Sequence, residues 1–138
     1  MPNRADLSAE EETRAGHTQL MIAALEGDTV KVKHLLAKHV DVNAKDGEGR
    51  TALMFAVANS HAAVVKSLLR AGARINSRAR DGGTALMLAA ASGDVEMTRT
   101  LLNAGAKTGY KYVSSGATAA SLASKGGHTK IIELLENR

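Results

Sequence analysis

The sequence predicts an all-α solenoid of about four helix–turn–helix repeats joined by hairpin-like loops, and three observations predict it. Thr18, Thr51, Thr84 and Thr118 recur at spacings of 33, 33 and 34 residues. Nine residues after each comes a small residue (Gly27, Ser60, Gly93, Gly127), and eight further on a leucine (Leu35, Leu68, Leu101, Leu135). The segments themselves are nearly identical, "TALMFAV" starting at Thr51 and "TALMLAA" at Thr84. A fixed period of this length marks a stack of supersecondary units, none able to bury its apolar face alone.

Each element follows from local chemistry. The threonine is an N-cap, because its hydroxyl accepts from a free amide of the first turn. The run after it is rich in alanine, the strongest helix former, which also lets helices approach closely. The small residue at the ninth position ends this first helix in the left-handed conformation. A second helix then carries apolar residues at helical spacing, as in Val64, Val65, Leu68 and Leu69. Both helices are expected to span about nine or ten residues. A short turn leads to Val42-Asn43, Ile75-Asn76 or Thr108-Gly109. His39 stands where the next two repeats have Gly72 and Gly105, at a position that takes the left-handed conformation.

The end repeats read as caps. Lys31 holds the position of Val64, Met97 and Ile131, and Glu136 that of Leu36, Leu69 and Leu102. Polar substitution on the outer faces of a solenoid is what solubility requires. One domain over residues 17–138, complete at four repeats, is therefore expected. Residues 1–16 form a polar leader; Ser8 with Glu11 makes a capping box, and a short helix and disorder both remain open.

Composition bounds the function. Hydrophobic residues make up 44% of the 138 and charged residues 23%, a globular balance. No apolar run approaches the length of a membrane span, and the leader lacks the apolar stretch of a secretory signal. With no cysteine there is neither a disulfide nor a thiolate metal site, which suits a reducing compartment and a cytoplasmic protein. The net charge is +4 and is concentrated in residues 51–83, where Lys66, Arg70, Arg74, Arg78 and Arg80 face one acid, Asp81. Such a region favours an acidic partner or an anionic surface, or is simply a solvated face.

These residues together resemble the ankyrin-repeat family. Its pattern, roughly G-x-TPLH-x-AA…GH…IV…LL…GADVNA-x-D, is matched by "GEGRTALMFAVANSHAAVVKSLLRAGARIN" and by "VNAKDGEGRTALM". The resemblance covers residues 17–138. The family's proline is replaced by Gln19, Ala52, Ala85 and Ala119, and its histidine by Met21, Met54, Met87 and Ser121. Alanine still suits a first helical turn, but the hydrogen bonds that the histidine usually supplies between loops are weakened.

The resemblance implies a non-catalytic module, expected to be a monomer, that binds another protein through loop tips and the inner face of the first helices. Carried over by position, that surface includes Lys45 and Arg50 in the first loop, Arg78 and Arg80 in the second, and Tyr110, Lys111 and Tyr112 in the third. The first helices contribute Ala58, Asn59, Ala91, Ser92 and Lys125. The third loop is one residue longer and holds both tyrosines. Tyrosine is enriched at binding hot spots, so these two either anchor a partner, with little effect on the stack, or cover the last repeat's edge.

Other readings have less behind them. Met21, Met54 and Met87 repeat with the fold, as core residues do. The five histidines show no ligand spacing, so no metal or other cofactor is expected. Phosphate loops, nucleophile elbows and HExxH are all absent from the sequence, which argues against an enzyme. A nucleic-acid or anionic-surface binder using Arg70 to Arg80 is the alternative. Its weakness is the scarcity of stacking rings: Phe55, expected in the core, Tyr110 and Tyr112.

Overall fold

The structure is a computed structural model that describes residues 17–137; the expected leader and Arg138 lie outside the described residues. Its helices are α1 (Gln19–Glu26), α2 (Thr29–Ala37), α3 (Ala52–Ala58), α4 (Ala62–Arg70), α5 (Ala85–Ser92), α6 (Val95–Asn103), α7 (Ala119–Lys125) and α8 (Thr129–Glu136). They form four antiparallel pairs. The first helices pack in succession, α1 on α3, α3 on α5 and α5 on α7, and each second helix lies on its own first helix. Helices of seven to nine residues are slightly shorter than expected.

The caps explain where the helices start. Hydroxyls of Thr18, Thr51, Thr84 and Thr118 accept from the amides of Met21, Met54, Met87 and Ser121 at 3.1–3.4 Å. Repeats 1 and 4 return the bond, Thr18 N–H to Met21 Sδ at 3.4 Å and Thr118 N–H to Ser121 Oγ at 2.8 Å. Thioether sulfur is a weak acceptor, so the returned bond of repeat 1 is the weaker of the two.

Left-handed residues end the helices. Gly27, Ser60, Gly93 and Gly127 have φ between 57° and 79°, and His39 has φ 58° beside 96° and 94° at Gly72 and Gly105. Leu20, Met21, Leu53, Leu68, Leu86, Met87, Leu101 and Ile131 are fully buried, which fits the packing role read for the methionines. Lys31 and Glu136 are exposed where Val64, Met97 and Ile131, and Leu102, are buried. No described helix is long and apolar enough to cross a membrane.

Candidate functional site

The site is built where the first helices meet the loops. Each loop closes as a hairpin, with Asp46 N–H donating to the Arg50 carbonyl and Ala79 N–H to that of Gly83. The third closes from Tyr112 to Ala117, with the extra residue inside its turn. Asp46, Ala79 and Tyr112 therefore occupy one structural position with three different side chains.

The loops are tied to one another at the repeat spacing. Lys45 Nζ donates to the Arg78 carbonyl at 3.3 Å, and Arg78 Nη2 to the Lys111 carbonyl at 2.6 Å. Backbone bonds run in parallel, Arg80 N–H to Glu48 and Val113 N–H to Asp81. At the loop base, Asn43 gives its amide to the Gly72 carbonyl and accepts from Arg74 N–H; Asn76 does the same with Gly105 and Lys107. Gly109 stands third in that register and has no side chain to continue it. On the helix side, His61 Nε2 lies 3.0 Å from the Leu25 carbonyl and His128 Nε2 3.3 Å from that of Ala91. These rings occupy the space a Cβ would need on Gly27 and Gly93.

Asp46 organises the first loop. Its buried carboxylate accepts from the amides of Glu48 and Arg50 at 2.9 and 2.8 Å and from Arg50 Nε at 2.9 Å. His17 Nε2 stands 3.1 Å from Oδ2 without hydrogen-bond alignment. Burial by itself would raise the Asp46 pKa, but the bonds from Arg50 and Glu48 outweigh it and hold the pKa below the usual aspartate value. The same Arg50 guanidinium lies 5.0 Å from the centroid of the Phe55 ring, which the His17 ring also meets, edge-on at 5.4 Å.

Phe55 is thus not a core residue as expected. It is half-buried, together with Ile22, Leu88 and Leu122, each four residues after its repeat's threonine. These four make one partly exposed apolar row, which the sequence reading missed. Its signal was available in the same register that revealed the repeat.

Between repeats 2 and 3 this row opens into a cavity of about 160 Å³. Met54, Phe55 and Leu88 form its floor, the exposed Ala58 its mouth, and Arg50, Ala79, Asp81, Gly83 and Tyr112 its loop side. Tyr112 is the far wall, its ring lying against Gly83, where an added Cβ would meet Cε1 at 2.8 Å. Burial, and then the charge of Asp81, raise the Tyr112 pKa. Tyr110 is also half-buried, with the Arg78 guanidinium 5.0 Å from its ring centroid.

Of the residues expected at a binding face, Arg50 and Tyr112 line the cavity together with Ala58. Lys45, Arg78, Arg80 and Lys111 are exposed on the three loops. Arg78 also donates Nε to the Gly82 carbonyl, and Arg80 Nη1 donates to that of Gly47. The basic region read from the sequence is divided among elements: Arg70 ends α4, and Arg78 and Arg80 belong to the second hairpin.

Comparison with known proteins agrees with this architecture. No curated protein matches the chain. The family model described as ankyrin repeats (3 copies) matches residues 3–79 and 77–138. Such repeats are in general protein-interaction modules and typically non-catalytic. With helix pairs, caps and linked hairpins repeating at one register, the chain belongs to the ankyrin-repeat family.

Proposed function

We propose that this protein is a non-catalytic, monomeric, cytoplasmic module that holds or masks one partner protein, as an inhibitor would. It does so through the face formed by Lys45, Arg50, Arg78, Arg80, Tyr110, Lys111, Tyr112 and the apolar row. The observation that carries this reading is the socket between repeats 2 and 3. It joins an apolar floor to a loop rim that carries Arg50, Asp81 and Tyr112, and an apolar centre within a polar rim is the anatomy of a protein-binding surface. Binding energy concentrates where aromatic and arginine groups line a pocket that excludes water.

The test is affinity capture from native lysate with the wild-type chain and with Ala58→Gln, which puts a polar chain into the socket mouth. The captured protein is then titrated against both by calorimetry. Partner binding weakened at least tenfold, with an unchanged melting temperature, supports the assignment. Equal binding to both chains places the interface elsewhere.

A further inference from the structure

The socket and the loop cations, taken together, specify what kind of segment they would receive. Among the described residues, Arg50 pairs with Asp46, but Lys45, Arg78, Arg80 and Lys111 have no carboxylate partner. Two of them are also held in place: Lys45 donates to the Arg78 carbonyl, and Arg78 donates to those of Gly82 and Lys111. A fixed, unpaired cation meets an anion with little further loss of side-chain freedom. Asp81, the acid of the socket lining, accepts from its own turn through Gly83 N–H at 2.9 Å.

Spacing and volume narrow the partner further. Lys45, Arg78 and Lys111 occupy one register on successive repeats. Packed helices lie about 8–10 Å apart, and an extended chain rises about 3.3 Å per residue. One repeat therefore corresponds to about three residues of an extended segment. The socket, at about 160 Å³, is close to the roughly 150 Å³ apolar cavity that accommodates a benzene ring. That is room for one leucine, methionine or phenylalanine side chain.

We propose, resting on the reading of this face as protein-binding, that the occupant is an extended acidic segment of another protein. One apolar side chain fills the socket between Phe55, Leu88 and Tyr112. Carboxylates about three residues to either side meet the cations of Lys45 and Lys111, and Arg78 lies between them beside the backbone of the segment. The apolar residue supplies anchoring, and the carboxylates supply register and fast association.

The experiment is a positional-scanning library of peptides of about nine residues, read by fluorescence anisotropy, with single-stranded DNA of mixed sequence as a parallel probe. The expected result is selection of Leu, Met or Phe at the centre and of Asp or Glu about three residues away. Serine at the centre should weaken the best peptide at least tenfold. Ala58→Gln should erase the central preference and keep the acidic one. Lys45→Ser with Lys111→Ser should do the reverse and flatten the salt dependence; melting curves verify that both variants fold. Selection of neutral or basic flanks, no selection at all, or tighter binding of DNA overturns the proposal. If the captured protein still needs an open socket in any of those cases, only the acidic-segment inference falls; if it binds Ala58→Gln equally well, the assignment of the face falls with it.

Discussion

The Arg78 guanidinium lies over the Tyr110 ring, 5.0 Å from its centroid. The sequence suggests two separable devices, an arginine loop that steers and a tyrosine loop that anchors. This contact joins them, and it is reinforced by the Arg78 bond to the Lys111 carbonyl. A double-mutant cycle with Arg78→Ala and Tyr110→Ala should show coupling of about 0.5–1 kcal/mol in stability. Arg78→Lys should keep the charge but lose the forked donation, so it should lower the melting temperature while leaving the salt dependence of association intact. Strict additivity in the cycle would mean that the two loops act independently.

Gly83 should be intolerant of even one added carbon. Its Cβ would sit 2.8 Å from Tyr112 Cε1 and 3.1 Å from Asp81 Oδ1. Gly83→Ala should cost about 1–3 kcal/mol, the usual penalty of overpacking. In a Tyr112→Ala background the cost should fall, leaving only the lesser contact with Asp81 Oδ1. Denaturant melts of the four chains check this, and an undiminished cost in the tyrosine-free background would contradict the assigned wall.

His39 is exposed and left-handed. A residue with a Cβ is penalised there by about 1 kcal/mol, so His39→Gly should stabilise the protein by a few tenths to about 1 kcal/mol. A lower melting temperature would reveal a contact made by the imidazole.

Asp46 should make the fold sensitive to acid. Its pKa is lowered from 3.8 in the folded state, so its contribution is present above 3.8. That contribution falls away as pH drops through the still lower folded value. Asp46→Asn should destabilise the protein at neutral pH by about 1–3 kcal/mol, because Arg50 loses a charged acceptor. The variant should also show a flatter fall in stability below pH 3.8 than the wild type. Parallel curves for the two chains in that range would assign the acid response to other groups.

Leu68 is wholly buried in α4. Leu68→Ala should cost about 2–5 kcal/mol, and in a stack with only neighbour contacts one half of the chain should melt before the other. A loss below about 1 kcal/mol would be incompatible with the repeat register.

What was legible in the sequence is what repeats. The threonine caps, the left-handed residues including His39, and the exposed Lys31 and Glu136 all follow from register and local chemistry. Loop side chains were harder to place, because their partners lie about 33 residues away in the next hairpin. Nothing in the local sequence of Arg78 announces that it spans to Lys111. Nor does composition indicate that Phe55 would sit at the core's edge, packed against it on one side and met by Arg50 and His17 on the other. Tyr112 is the clearest case: it occupies the position of Asp46 and Ala79, and only the bare face of Gly83 lets the ring settle inward.

The links between repeats are not equal, and this gives the rod a direction. Repeats 1 and 2 share both the Asn43 rung and the His61 clasp, repeats 2 and 3 the Asn76 rung, and repeats 3 and 4 the His128 clasp alone of these two kinds. Of the two end pairs the C-terminal one has fewer of these links, with Gly109 leaving a rung out, so amide exchange should be faster in α7 and α8 than in α1 and α2. A ligand lying across all three hairpins would act as a splint, slowing exchange furthest from its own deepest contact.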